Sequence, residues 1–186
     1  MTEVSSLTGR LLVAAPALTD PNFDRAVVLL LDHDEEGSLG VVLNRPTPVG
    51  VGDILASWAG LTGEPDVVFQ GGPVSLDSAL GVAVIPGDEG PLGWRRVHGA
   101  IGLVDLETPP ELLGPALGSL RIFAGYAGWG PGQLESELNE GAWYVVESEP
   151  GDVSSPSPER LWRAVLRRQR SELAMIATYP DDPSLN

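Results

Sequence analysis

The sequence contains no cysteine and no lysine, and each absence removes several kinds of chemistry. Without cysteine there is no disulfide, no thiolate nucleophile and no cysteine-ligated zinc. Without lysine there is no Schiff base and no lysine to grip a phosphate, so all 11 basic residues are arginines. The reactive side chains that remain are hydroxyls, carboxylates and two histidines.

Long apolar runs and positive charge are also scarce. The longest uninterrupted apolar run, Ala26 to Leu31, is far too short to span a bilayer. The first residues lack the basic region of a signal peptide, so we expect a cytoplasmic protein that does not associate with membranes. A net charge of −15 and a pI of about 4.3 argue against direct binding of nucleic acid.

The 186 residues carry 42% apolar side chains, which predicts one globular domain over residues 1–186 with an irregular tail at 179–186. Strands and helices are mixed without strict alternation, which indicates an α+β fold. The predicted strands are 9–15, 26–32, 39–44, 67–69, 79–85, 94–97, 101–106, 120–124 and 143–147. The predicted helices are 53–58, 109–117 and 159–177, with one more beginning at Pro131.

The most unusual segment is Gly125 to Leu138, in which four glycines and two aromatic residues precede a helical pattern. It predicts a strand that ends at Ala124, a glycine turn, and a helix with Pro131 at its first position. A strand, a glycine turn and a helix amino terminus can bind an anion. Alternatively, the glycines only allow Tyr126 and Trp129 to fold back on the core. No phosphate-binding motif is present, which favours the second interpretation.

Two further groups of polar residues have functional and structural interpretations. His33, Asp34 and Glu36 could form a metal or acid–base site, but a polar loop between the second and third strands is the favoured explanation. Asn44 and Arg45 end a strand before Pro46 and could donate to a carboxylate or phosphate, or could hold the loop together.

Several segments together resemble the YqgE/AlgH family of bacterial proteins. They are 9–23, 27–46, Gly71-Gly72-Pro73-Val74, 125–138, Trp143 and the arginine-rich final helix. The tail resembles actinobacterial members. The resemblance implies an α+β domain whose bifurcated sheet is partly closed into a small barrel and flanked by helices. It implies no catalytic residues and no cofactor.

Members of that family are often labelled transcriptional regulators, but the acidic chain shows no recognition-helix motif. We expect instead a non-enzymatic protein that binds a small anionic ligand or a protein partner. The candidate ligand-binding residues are Asn44, Arg45, Gly71, Gly72, Tyr126, Gly128, Trp129 and Gln133. The alternatives are a metal-assisted or acid–base hydrolase that uses His33, Asp34, Glu36 and Glu135, and a regulator of transcription.

Overall fold

A computed structural model describes residues 6–87 and 89–180 and confirms the α+β fold. The strands in these residues are β1 (Leu11–Ala14), β2 (Val27–Asp34), β3 (Gly37–Val42), β4 (Pro46–Gly50), β5 (Val67–Gln70), β6 (Val74–Val84), β7 (Trp94–His98), β8 (Ile101–Val104), β9 (Ser119–Trp129) and β10 (Trp143–Val146). The α-helices are α1 (Val51–Ile54), α2 (Gln133–Asn139), α3 (Pro150–Val153), α4 (Leu161–Arg167) and α5 (Leu173–Ile176). None of these described helices is long and apolar enough to cross a membrane.

Strand β9 organises the sheet because it pairs with three other strands. The main path runs β10-β1-β2-β3-β9-β6-β8-β7, with antiparallel pairing throughout. On the edge of β9 away from β6, residues 127–129 pair with β3, while residues 123–124 pair in parallel with β5. Strand β5 in turn pairs with β4. The sheet therefore forks at β9, as the resemblance implied.

The sheet also curls into a half-barrel, which brings its two ends together. A Cβ atom added at Gly9, just before β1, would lie 2.3 Å from the Cβ atom of His98 at the end of β7. The segment before β1, near one end of the sheet, therefore lies against β7, the strand at the other end. Ser148, which follows β10, donates its hydroxyl to the carbonyl oxygen of Gly9 at 2.5 Å.

Three apolar clusters cover the curled sheet, one of which carries the C-terminal helices. That cluster joins β2, β5 and β9 to α4 through residues such as Leu29, Phe69, Phe123, Trp162 and Val165. A second packs Trp129, Leu134 and Trp143 on the opposite side of β1 and β2. A third surrounds Trp58 next to α1. The helix α4, which carries several of the arginines, is thereby packed against the sheet.

The predicted glycine turn after Ala124 is wrong, because β9 continues to Trp129. Gly128 pairs with Leu39 of β3, so this backbone is part of the ladder. The turn is confined to residues 130–132, and α2 begins at Gln133 with left-handed Gly132 as its N-cap, rather than at Pro131. Gly125 serves close strand packing, since a Cβ atom there would lie 2.6 Å from the carbonyl oxygen of Gly72, and short-range patterns do not separate this use from a turn.

Two predicted helices are also wrong. Residues 109–117 form 3₁₀ turns at Pro110–Leu112 and Gly114–Ala116, because Gly114 and Pro115 both disfavour an α-helix. The predicted helix 159–177 consists of a 3₁₀ turn (Pro158–Arg160), α4 and α5. Its apolar stripe is interrupted between Leu166 and Leu173, where the side chains are polar and no packing holds the helix.

Smaller differences concern the loops. The helix predicted at 53–58 is α1 followed by a 3₁₀ turn at Ala56–Trp58, and its N-cap is Gly50 rather than Asp53. Strand β3 ends at Val42, before the predicted end at Asn44, and residues 43–45 lead into the separate strand β4. The prolines of β4 are tolerated because, among the described strands, it pairs with β5 alone. Residues Pro150–Val153, outside every predicted helix and strand, form α3, which begins with a capping box between Glu149 and Asp152. Strands β2 and β3 form the antiparallel hairpin that the sequence predicts.

Candidate functional site

The two glycine segments of the candidate site lie against each other. Gly71 donates its N–H to the carbonyl oxygen of Ala124 at 2.8 Å, and its own carbonyl accepts from Val42 at 2.8 Å. A Cβ atom at Gly72 would lie 2.2 Å from the backbone of Tyr126. These glycines therefore permit a close crossing of two backbones at the fork of the sheet.

Trp129 and Gln133 meet at a different place, around the carboxylate of Glu137. The indole N–H groups of Trp129 and Trp143 donate to Glu137 Oε1 at 3.1 and 3.0 Å, and Gln133 Nε2 donates to Oε2 at 3.0 Å. Phe23 packs on both indoles, with centroid distances of 6.3 and 5.5 Å. The side-chain oxygen of Gln133 also accepts from the N–H of Gly130 at 3.0 Å. These polar groups are thus engaged within the protein.

The side chain of Asn44 holds the loop before β2. Its Oδ1 atom accepts from the N–H of Val27 at 3.1 Å, and its Nδ2 atom donates to the carbonyl oxygen of Arg25 at 2.9 Å. Asn44 is buried, so this supports the interpretation that it fastens the loop. Its neighbour Arg45 donates to the carbonyl oxygen of Asp24. Burial lowers the pKa of Arg45, and the nearby Asp24 carboxylate partly opposes this.

Arg45 lines a cavity of about 240 Å³, which we call the arginine cleft. Its lining residues are Arg25, Asn44, Arg45, Glu159, Trp162 and Arg163. The guanidinium group of Arg25 lies 4.3 Å from the ring centre of Trp162, and that of Arg163 lies 5.5 Å from it. The cleft therefore combines three arginines with one aromatic ring and the carboxylate of Glu159.

Arg25 is the least satisfied of these cations. Its Nη2 atom donates to the carbonyl oxygen of Pro180 at 2.6 Å, but Nε and Nη1 are buried and have no partner among the described residues. The residue has a left-handed backbone with a φ of 57°, which is uncommon outside glycine. Left-handed backbone at a residue other than glycine costs free energy, and such strain clusters at functional sites.

A second, smaller cavity adjoins the cleft through Arg45. It has a volume of about 130 Å³ and is lined by Pro21, Asn22, Val42, Arg45, Gln70 and Gly72. The amide side chains of Asn22 and Gln70 can each donate and accept hydrogen bonds. The backbone of Arg45 accepts from the N–H of Gln70 at 2.8 Å, which fixes β5 beside it.

The acidic cluster of the hairpin is divided by the alternation of β2. Asp34 and Glu36 line a third cavity of about 210 Å³ together with Asp32 and Trp129. His33 points to the opposite face, is 4% exposed, and lies 2.7 Å from Ser38 through Nδ1 and Oγ. Glu135 does not line this cavity. Within residues 6–87 and 89–180, no group of three or more acidic or histidine side chains could hold a metal ion.

The sequence profile of the AlgH-like family matches residues 11–174, nearly the whole chain. The chain belongs to the AlgH-like family. The predicted resemblance is therefore confirmed.

Curated relatives of this AlgH-like protein are bacterial. It is 88% identical to the UPF0301 protein of Streptomyces avermitilis over 190 residues, which covers 100% of this chain and 98% of that protein. It is 45% identical to the UPF0301 protein of Rhodococcus opacus, over 96% of this chain and 90% of the relative. The actinobacterial character predicted from the tail agrees with these matches.

Two solved structures share the fold of this AlgH-like protein. A crystal structure of a Corynebacterium diphtheriae protein is 32% identical, has a TM-score of 0.89, and covers 96% of this chain and 95% of its own. The solution structure of AlgH from Pseudomonas aeruginosa is 26% identical, has a TM-score of 0.69, and covers 97% and 98%.

The predicted site residues of this AlgH-like protein thus fall into separate groups. Arg45, Asn44 and Gly72 lie around the two adjoining cavities, and Gly71 and Tyr126 lie behind Gly72. Gly128, Trp129 and Gln133 belong to the β3 edge and the Glu137 cluster. Sequence patterns do not single out Arg25 and Trp162, which meet Arg163 of the arginine-rich final helix only through tertiary contacts. The one available signal was the aromatic–arginine pair at 162–163, which amphipathic helices commonly contain.

Proposed function

We propose that this AlgH-like protein is a non-enzymatic binding protein that holds a small anionic ligand in the arginine cleft. The observation that carries the proposal is Arg25, whose Nε and Nη1 donors are buried without a partner among the described residues, beside a cavity that Arg45 and Arg163 also line. Buried donors without an acceptor are costly, and a carboxylate or phosphate would satisfy them.

The size of the cleft limits the ligand. A volume of about 240 Å³ lies below the range of about 300–1,000 Å³ that is typical of drug-sized ligands. A phosphate group or a short carboxylic acid fits such a space. The planar guanidinium group recognises both with two parallel hydrogen bonds.

The adjoining cavity supports a ligand with a second polar group. Asn22 and Gln70 offer amides rather than charges there. A hydroxyl or amide that extends past Arg45 would find both donors and acceptors. The ligand class that agrees best with both cavities is therefore a small hydroxy or amido acid, or its phosphate counterpart.

Titrations with inorganic phosphate, acetate and lactate test the proposal. We expect saturable shifts of the Trp162 indole and of arginine Nε–H signals in ¹H–¹⁵N NMR spectra, strongest with lactate or phosphate. Arg45→Met should weaken binding by about tenfold or more, since hydrogen bonds to charged groups contribute about 1.5–3 kcal/mol. Arg45→Lys keeps the positive charge but loses the planar guanidinium group with its two parallel donors. This variant should therefore also bind the anions more weakly.

Arg167→Met is the matched control because Arg167 is exposed on α4 and lies outside the cleft. It should leave the affinity unchanged. Absence of saturable shifts at millimolar concentrations of all three anions, or equal affinities for Arg45→Met and Arg167→Met, would refute the proposal.

A further inference from the structure

Arg121 of β9 is a buried cation inside the curled sheet. It is 3% exposed, and its guanidinium group packs 4.3 Å from the ring centre of Phe69. Nη2 donates to the carbonyl oxygen of Glu64 at 3.2 Å, whereas Nη1 is buried and has no partner among the described residues. Burial lowers the pKa of Arg121 to about 10, and no carboxylate of the described residues counteracts this.

A second polar group that lacks a partner lies two residues earlier on the same strand. The hydroxyl oxygen of Ser119 is buried, and no described residue bonds to it. Because side chains alternate along a strand, Ser119 and Arg121 share one face of β9. Because β9 runs parallel to β5, with Phe123 beside Phe69, both polar residues lie toward the amino-terminal side of β5, where Arg121 contacts the carbonyl oxygen of Glu64.

The guanidinium group of Arg121 and the hydroxyl group of Ser119 can both donate hydrogen bonds to one shared acceptor. Unsatisfied buried polar atoms are rare, and the usual explanation for such an atom is an ordered water or ion. A water molecule would satisfy the donors but leave the positive charge uncompensated. A buried charge is stabilised when it is both paired and hydrogen-bonded, which requires a negatively charged acceptor.

We propose that a small monovalent anion, of the size of chloride or formate, binds between Nη1 of Arg121 and Oγ of Ser119. Both polar atoms are hidden from solvent, so an ion that joins them must consist of only a few atoms. The site is separate from the arginine cleft, whose lining does not include either residue. The anion would fasten β9 to the segment that leads into β5, near the fork of the sheet.

Thermal unfolding in different anions tests this site at constant ionic strength. Relative to isethionate, a bulky sulfonate, chloride, bromide and formate should raise the melting temperature of the wild-type chain by about 2–4 °C at several times their Kd. Arg121→Met should abolish this anion-specific rise. In isethionate the same variant should melt no lower than the wild type, because it replaces an unpaired buried cation by an apolar side chain.

The surface variant Arg167→Met is the control and should keep the full anion-specific rise. If Arg121→Met does not fold, Ser119→Ala replaces it and should show a smaller rise than the wild type. Diffraction from bromide-soaked crystals should show an anomalous peak within hydrogen-bonding distance of Arg121 Nη1. Equal melting temperatures in all anions, or a water in place of the bromide peak, would overturn the proposal.

Discussion

At the scale of single residues, glycine decides how closely the chain can pack at the fork of the sheet. Gly71 and Gly72 face the backbone of Gly125 and Tyr126, where added Cβ atoms would lie 2.4 and 2.2 Å from carbonyl oxygens. Backbone atoms cannot rotate away as a flexible side chain can. The need for glycine is therefore steric here and independent of any ligand.

Gly72→Ala should lower the free energy of unfolding by about 3 kcal/mol or more, because the methyl group forces β6 away from β9. Gly63→Ala is the matched control, since nothing lies within 4 Å of its Cβ position. It should change stability by less than about 0.5 kcal/mol. Urea denaturation followed by tryptophan fluorescence measures both. Equal losses of stability in the two variants would show that the two backbones can move apart at little cost in free energy.

At the scale of elements, a buried ion pair fastens the short helix α3 to α4. Asp152 is 4% exposed and receives two hydrogen bonds from Arg168, at 2.6 and 2.8 Å. Its Oδ2 atom also accepts from the N–H of Glu149 at 2.7 Å. The hydrogen bond to Asp152 is the main cause that raises the pKa of Arg168, so the guanidinium group stays protonated at neutral pH.

Asp152→Ala should destabilise the fold by about 2 kcal/mol, since it removes the capping box and two hydrogen bonds from Arg168, which keeps its ion pair with Glu149. Glu147→Ala is the control, because its ion pair with Arg10 is exposed, with side-chain exposures of 69% and 41%. An exposed pair contributes at most about 1 kcal/mol. Thermal and urea unfolding should therefore separate the two variants clearly, and a loss of equal size would contradict this account.

Local sequence patterns predict some of these secondary-structure elements and not others. The hairpin β2–β3, strands β5, β7 and β10, and the amino-terminal part of α4 follow from local apolar periodicity. The continuation of β9 through its glycines cannot be predicted in this way, because it depends on pairing with β3, which lies far earlier in the chain. Arg45 was predictable as a donor at a strand end, but Arg25 and Arg163 join it only through long-range packing.

At the scale of the whole molecule, the net charge of −15 opposes compaction by self-repulsion. The arginines that could relieve it are partly committed to internal contacts in the cleft and in β9. Screening by salt should therefore favour the folded state. This effect acts on all parts of the surface and needs no specific ion.

We expect the melting temperature to rise as the salt concentration increases from about 10 mM to 150 mM, over which the Debye length falls from about 30 Å to about 8 Å. The rise should be similar in the wild type, Arg167→Met and Arg121→Met when isethionate is the anion, because none of them removes the excess of carboxylates. Differential scanning calorimetry measures it. A falling melting temperature would mean that exposed ion pairs outweigh the repulsion.

The arginine cleft is assembled from three separate parts of the chain, at residues 25, 44–45 and 159–163. Such a pocket ceases to exist when the chain opens. Any metabolite that occupies it must consequently act as a folding aid, in proportion to its affinity and abundance. The anionic ligand that we propose can thus be recognised among the small acids of a bacterial extract by its protection of the fold, whichever pathway produces it.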